Sequence, residues 1–313
     1  MKSVCLAILN YNGIHHLEYL LPTVKEALAN YPGSCRAVVL DNCSTQGDME
    51  WVRSHYPTIE AIPAPANDYL FSYNWLLPQI EEEVVILLNN DLRLSPDFLP
   101  PLLQHFQHDD VFAVSATSLD WEGKVYTCGP SRLKHRHGWY QWDYAPQQQE
   151  RCHTLFASGG FSAIDRQKFL ELGGFNAVFH PAYCEDLDLC FRAWRKGWRS
   201  IFEPESVVFH REHGSWGEQT EYSPAPLAFR GQLLFAWLSL PPSASLPERY
   251  VMYVWVLFLN LRSGQTWCLQ VWLETVGIYY RLFNKYSWMK ATTEEISHIQ
   301  KCLTKPIPTD MEI

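Results

Sequence analysis

The stretch Val84-Val85-Ile86-Leu87-Leu88-Asn89-Asn90-Asp91 decides the fold. Five consecutive apolar residues read as a strand buried on both faces, the pattern of a parallel sheet covered by helices on each side. The run stops at two carboxamides and a carboxylate, so the strand carries polar groups to one edge of its sheet. Outward from it, Val4 to Leu9 leads into Asn10-Tyr11-Asn12-Gly13, and Ala37 to Leu40 ends in Asp41-Asn42. Ile59 to Ile62 and Val111 to Ala116 read as further short strands. Leu17, Leu20, Leu21, Val24 and Leu28 fall at helical spacing, with Pro22 expected to kink or divide that helix. Ser95-Pro96 has the residue types of an N-cap followed by a first helical position. Strands alternating with amphipathic segments predict an α/β fold, a mostly parallel sheet with helices on both faces. Turn chemistry explains Asn, Asp and Gly after any one strand; after three strands together, they mark the carboxyl edge where such sheets bind ligands.

The 313 residues carry 25 Lys+Arg against 34 Asp+Glu, a net charge of −9, with 47% hydrophobic and 14% aromatic residues. Disordered and low-complexity classes are excluded by that composition, and the acidic balance argues against nucleic acid as a partner. The length suits one large α/β domain with an appendage, or two domains. Nine Cys without a CxxC pair indicate reduced thiols and a cytoplasmic location rather than a zinc ribbon or disulfide framework. The apolar run Val4 to Leu9 is too short for a signal-peptide core. No uncharged stretch cleanly provides the ~20 apolar residues of a membrane-spanning helix.

No GxGxxG follows the first strand and no GxxxxGK[ST] occurs. Nucleotide phosphates would therefore need another counter-charge, and a divalent metal bridging carboxylate and phosphate is the obvious one. Asp91 is the candidate anchor for Mg²⁺ or Mn²⁺, although Asn-Asn-Asp also makes a good turn. In Glu185-Asp186-Leu187-Asp188-Leu189-Cys190-Phe191-Arg192 a helix places Leu187, Cys190, Phe191 and Trp194 on an apolar face and the first carboxylates at its N-terminus. The dipole there favours ionised carboxylates and suits a general base; simple capping of the helix explains them as well. Asp188 reads equally as solvated or salt-bridged. Val207-Val208-Phe209-His210 is a strand ending in His, which serves as a metal ligand, a phosphate donor or a structural residue.

In order along the chain, Asn10-Tyr11-Asn12-Gly13, Asp41-Asn42-Cys43-Ser44, Asn89-Asn90-Asp91, Ser158-Gly159-Gly160, Gly173-Gly174-Phe175, Glu185-Asp186-Leu187-Asp188-Leu189 with Arg192 and Gly197, and Val208-Phe209-His210 resemble the family-2 glycosyltransferases. The bacterial branch containing rhamnosyltransferases and other surface-polysaccharide enzymes is the most similar. The resemblance spans about residues 1 to 215. It implies a GT-A, Rossmann-like fold and inverting transfer from a nucleotide-sugar donor to a hydroxyl of a saccharide or lipid-linked saccharide acceptor. It further implies Asp186 as catalytic base, and Asn10, Asn12, Asp41, Asn90, Gly160 and Glu185 as substrate-binding residues. Asp91 and His210 fall at the metal. Asn89 stands where the family's Asp-x-Asp has its first Asp, which removes one negative charge. A sugar nucleotidyltransferase is disfavoured, because it would begin with a Gly-rich basic loop. The alternative is a catalytically degenerate transferase-like domain serving as a membrane or assembly scaffold.

Residues 216–313 are expected to form an aromatic-rich helical appendage to a catalytic domain of residues 1–215. Six of the thirteen Trp lie in the last hundred residues, and from Glu248 onward seven basic residues meet six acidic ones. Pro241 to Pro247 reads as a linker. Tyr279 to Trp288 is the best candidate for peripheral contact with the inner face of the cytoplasmic membrane; ordinary packing against the catalytic domain or a partner subunit is the competing explanation. Acceptor choice is expected to lie in loops such as Thr127 to Arg151, where Lys134-His135-Arg136-His137 is a basic segment.

Overall fold

In a computed structural model, the protein is described over residues 1–136, 139–145, 150–211, 224–240, 267–282 and 289–304, with isolated positions between the later segments. The chain opens with β1 (Val4–Asn10), α1 (Ile14–Asn30), β2 (Cys35–Asp41), α2 (Asp48–His55) and β3 (Glu60–Pro63). Then come α3 (Ser72–Leu76), β4 (Val84–Asn89), β5 (Leu92–Leu94), α4 (Leu99–Leu103), β6 (Val111–Asp120) and β7 (Tyr126–Cys128). A separate hairpin of β8 (Ser131–Arg136) and β9 (Trp139–Tyr144) precedes β10 (Cys152–His153), β11 (Phe161–Asp165), α5 (Arg166–Glu171), α6 (Glu185–Arg195) and β12 (Arg199–His210). Three further helices are described: α7 (Pro224–Leu238), α8 (Trp267–Leu282) and α9 (Thr293–Thr304).

The ten-stranded sheet runs β10-β12-β6-β11-β4-β1-β2-β3, with β5 on β12 and β7 on β6. β1, β2, β3, β4, β6 and β12 point the same way. β11 lies between β4 and β6 and is antiparallel to both. The continuous apolar runs are explained by two cores. Val4, Leu6, Ile8, Val84, Ile86 and Leu88 face one that holds α1 and α4, while Cys5, Ala7, Val85 and Leu87 face the other with α3, α5 and α6. This is the expected mixed α/β architecture, with both faces of the sheet covered.

Three local expectations are corrected. α1 is one continuous helix despite Pro22. Leu17, Leu20, Leu21 and Val24 are all fully buried, and at roughly 1.5–3 kcal/mol each their burial outweighs the ~3 kcal/mol cost of an interior proline. Ser95-Pro96 does not start a helix: Phe98 N–H bonds to Ser95 O in a turn, and α4 begins at Leu99 with Pro100 in its first turn. The preceding residues form β5, paired antiparallel with the end of β12 so that Leu92 lies opposite His210. Lys134 to Arg136, read as loop, belong to β8 of the hairpin, where Lys134 Nζ meets Asp143 Oδ2 at 2.5 Å; His137 lies outside the described residues.

α7 and α9 enter the same hydrophobic core as α3, α5 and α6, through Leu234, Phe235, Leu238, Ile296, Ile299 and Leu303. Trp237 also packs edge-on to Tyr279 of α8, at 5.6 Å. The linker Pro241 to Pro247 and Tyr286 to Trp288 lie outside the described residues. Among those described, no helix is long and apolar enough to cross a membrane.

α7 is also pressed onto the turn that precedes α6. A Cβ on Gly231 would stand 2.4 Å from Tyr183 O, and Arg230 donates to His180 O and Val178 O, both at 3.1 Å. Gly231→Ala is therefore expected to cost roughly 1–3 kcal/mol through overpacking against backbone. Gly277→Ala, in α8 with open space around its Cβ, is expected to be neutral or stabilising. Thermal melts of the two variants check the contrast.

Candidate active site

The carboxyl edge of the sheet holds two adjoining groups of residues. The first joins the turns after β1, β2 and β4. Asn10, 1% exposed, donates to Asp48 Oδ2 at 2.9 Å, Asp41 Oδ1 at 3.2 Å and Ser44 Oγ at 3.4 Å, and accepts from Asn90 Nδ2 at 2.9 Å. Asn12, in the left-handed region at φ 47°, accepts from Thr45 N–H at 2.8 Å and gives its own N–H to Ser44 Oγ at 2.7 Å. Asp41 also accepts from Ser44 N–H at 3.0 Å.

Both polar ends of the Asn10 side chain are engaged inside the protein, where it ties Asp41, Asp48 and Asn90 together. Asp48 was missed by the sequence reading. It accepts from Gly13 N–H at 2.7 Å as well as from Asn10, tying α2 to the β1 turn, although as a first-turn acid after Gly47 it looks like an ordinary helix start. Gly13 is required here, since its Cβ would lie 2.1 Å from Asn90 Nδ2.

The second group surrounds a cavity of about 550 Å³ lined by Asn89, Asp91, Gly159, Gly160, Glu185, Asp186 and His210, among others. β11 begins at this edge because it runs opposite to β4. Asn89 N–H bonds to Gly160 O at 2.8 Å, and a Cβ on Gly160 would meet Asn89 Nδ2 at 2.6 Å. Asp91, 3% exposed, has Oδ1 at 3.4 Å from His210 Nε2. The cavity thus gathers five expected site residues, Asp91, Gly160, Glu185, Asp186 and His210, whereas Asn10, Asn12, Asp41 and Asn90 form the adjoining network. Gly173 and Gly174 do not line it; Gly174 abuts Asn74 and its carbonyl accepts from Arg192 at 2.8 Å, a turn and packing role.

The backbone turns sharply into α6, with Tyr183 and Cys184 both at φ 72°. Asp186 accepts from Gly159 N–H at 3.2 Å and from Leu187 N–H at 2.8 Å. Burial nevertheless raises its carboxyl above the usual range, against those two donors. The expectation that the helix terminus keeps this acid readily ionised is thus only half of the balance: removal from water is the larger effect. Glu185, 4% exposed, is pushed up to about 8 by burial and then by the neighbouring Asp186. Its Oε2 has no hydrogen-bond partner among the described residues. Asp188 is fully buried and structural, since it holds Arg192 Nε at 2.8 Å while that guanidinium also donates to Leu172 O and Gly174 O.

The model of the family described as "Glycosyl transferase family 2" matches residues 3–173, more than half of the chain. The chain belongs to glycosyl transferase family 2. This family-2 glycosyltransferase is 27% identical over 232 residues to the N-acetylglucosaminyl-diphospho-decaprenol L-rhamnosyltransferase of Mycobacterium tuberculosis, covering 64% of this chain and 74% of that protein. It is 24% identical over 219 residues to the uncharacterised protein y4gI of Sinorhizobium fredii, covering 65% of this chain but spanning only 24% of y4gI. Its fold is similar to the mannosyltransferase PcManGT of Pyrobaculum calidifontis in complex with GDP-Man and Mn²⁺, with a TM-score of 0.54 at 16% identity over 96% of this chain and 79% of that one. It is also similar to GalNAc-T7 with UDP, GalNAc and Mn²⁺, with a TM-score of 0.57 at 16% identity over 76% of this chain and 48% of that one.

Glu185 supplies a stability prediction. Its folded pKa of about 8 lies above the ordinary 4.5, so between those values the unfolded chain has released a proton that the folded chain retains. Its contribution to stability then falls as pH rises through that window. Glu185→Gln is expected to leave Tm little changed near pH 4.5 and to raise it progressively relative to the parent toward pH 8 to 9, read by thermal melts across that range.

Proposed function

We propose that this family-2 glycosyltransferase moves a sugar, with inversion, from a nucleoside-diphosphate donor to a hydroxyl of a saccharide or lipid-linked saccharide, in the synthesis of cell-surface polysaccharide. The observation that carries this reading is a buried carboxylate of raised pKa, Asp186, sharing one cavity with the Asp91–His210 pair. A base whose pKa approaches the working pH is a better proton acceptor than an ordinary surface Asp. Asp186 takes the proton of the acceptor hydroxyl as that oxygen bonds to the anomeric carbon. The bond from the anomeric carbon to the β-phosphate oxygen breaks on the opposite face, and its electron pair leaves with the nucleoside diphosphate. One displacement needs one base and no covalent sugar–enzyme intermediate. Asp41, with Asn12 and Asn90 beside it, is assigned to the nucleoside, and Asn10 and Asp48 to holding that edge in shape.

The donor set at Asp91 and His210 fits a divalent cation. A buried carboxylate oxygen and an imidazole nitrogen 3.4 Å apart suit Mn²⁺ or Mg²⁺. No group of three or more His, Cys, Asp or Glu that could hold a metal occurs among the described residues, so diphosphate oxygens would complete the shell. When bound, the ion neutralises charge developing on the leaving diphosphate. The Mn²⁺ of the two similar structures named above supports this assignment.

The acceptor in the name of the mycobacterial relative, a diphospho-decaprenol, supports a lipid-linked saccharide and a working position at the inner face of the cytoplasmic membrane. On α8, Leu269, Leu273 and Tyr280 are 43%, 57% and 76% exposed beside an exposed Arg281, a composition suited to peripheral contact with an anionic lipid surface. Sedimentation with anionic phospholipid vesicles is expected to carry the parent down and to leave Leu269→Glu/Leu273→Glu in the supernatant. A parent that ignores vesicles would remove the membrane from this proposal.

The central test is a panel of nucleotide sugars assayed for binding and slow hydrolysis with Mn²⁺ and with chelator. One donor is expected to bind in a metal-dependent way. Asp186→Asn should keep that binding and lose transfer by several orders of magnitude, with the acid limb of the parent's rate profile lying above the ordinary Asp value. Parent-like turnover in Asp186→Asn would overturn the role of the base.

A further inference from the structure

The cavity has a second wall to which the reading above gives no role. Trp142 and Tyr144 of β9 and Phe156 line it, their rings meeting at 5.1–5.6 Å, with Trp142 edge-on to both others. Tyr144 leaves 38% of its surface exposed. From α7, Ala228 and the exposed Gln232, one turn apart, line the same space. Glu185 lines the same cavity, and its buried Oε2 finds no partner among the described residues.

We infer that this wall is the acceptor subsite and that it reads a pyranose ring, with Tyr144 and Trp142 against the apolar face of the sugar and Glu185 and Gln232 bonding its hydroxyls. The inference rests on the transferase reading above and narrows it. Ligand sites pair apolar lining with a few placed polar groups. A pyranose matches both parts, since its axial C–H groups form an apolar face while hydroxyls ring its edge. An acyl chain or an apolar peptide side chain would cover the rings but bring no hydrogen-bonding partner for Glu185 or Gln232. Placement agrees as well, because a ring held here lies in the cavity that contains the Asp186 carboxylate. The lipid of a lipid-linked acceptor would then lie outside the cavity, and the saccharide inside would decide acceptance.

The test uses the full chain and methyl pyranosides of several common sugars as probes, with decyl phosphate as the lipid-like control, followed by saturation-transfer NMR and titration. The parent is expected to bind at least one glycoside, with saturation concentrated on the ring C–H groups of one face, and to bind decyl phosphate more weakly. Tyr144→Ala should weaken the glycoside about tenfold, Tyr144→Phe should stay within about threefold because the ring remains, and Gln232→Ala, on a separate helix, should weaken it severalfold. All three should keep parent-like binding of the metal–nucleoside diphosphate, which reports folding and the donor half independently. Preference for decyl phosphate over every glycoside, or unchanged glycoside affinity in both Tyr144→Ala and Gln232→Ala, would overturn the subsite while leaving the transferase reading intact. Absence of nucleotide binding in the parent would instead strike the reading beneath it.

Discussion

The antiparallel pairing of β11 with β4 is the constraint on which the site depends. A parallel neighbour of β4 would end where β4 ends; an antiparallel one begins there. The Gly159–Gly160 turn therefore arrives beside Asn89, whose N–H bonds to Gly160 O, and so close that a Cβ on Gly160 would meet the Asn89 side chain. That turn in turn offers the Gly159 N–H to Asp186 on α6, so the end of β4 and the start of α6 are held through two glycines. The pairing of β5 with β12 does the same for Asp91 and His210, whose proximity follows from Leu92 lying opposite His210.

Electrostatics then separates residues that look alike. Asp186 and Asp188 stand two positions apart on α6, and both have raised pKa values from burial. Asp188 faces Arg192 and is consumed in a buried clamp on the Gly173–Gly174 turn, whereas Asp186 meets only backbone N–H groups in the hydrogen bonds described above and lines the cavity. Glu185 has an oxygen without a partner among the described residues and a strongly raised pKa, a local cost of the kind that sites carry and packed cores avoid. An overall charge of −9 is compatible with the anionic donor proposed above, since a cation between carboxylate and diphosphate would offset the local acidity.

The C-terminal region changes most between sequence and structure. Its aromatic composition suggested an appendage, and part of it, including Tyr280 and Leu273, is exposed. Yet α7 packs on the turn before α6 through Gly231 and lines the cavity through Ala228 and Gln232, and α9 shares the core with α6. No local pattern in Pro224–Leu238 announces this, since nearly every face of that helix is apolar. In the β8–β9 hairpin the charged run Lys134 to Arg136 masks the strand signal of β9, the alternation Tyr140-Gln141-Trp142-Asp143-Tyr144, and the aromatic wall forms only when Phe156 meets it.

The sequence alone determined the α/β class, the strands that end in Asn10, Asp41 and Asn89, and the α6 helix with its leading acids, because each rests on short-range patterning: apolar runs, helical spacing and turn residues at strand ends; the family rests on the order of its motifs along the chain. Tertiary structure alone decided which of those polar residues share a cavity. It joined Asn10 to Asp48 and Asp188 to Arg192, and it placed Trp142, Tyr144 and Gln232 on the cavity wall. The physical reason is that hydrogen-bond satisfaction and burial are properties of neighbours in space, and residues as far apart as Asn10 and Asn90, or Tyr144 and Gln232, become neighbours only through the order of strands in the sheet and the packing of helices on its faces.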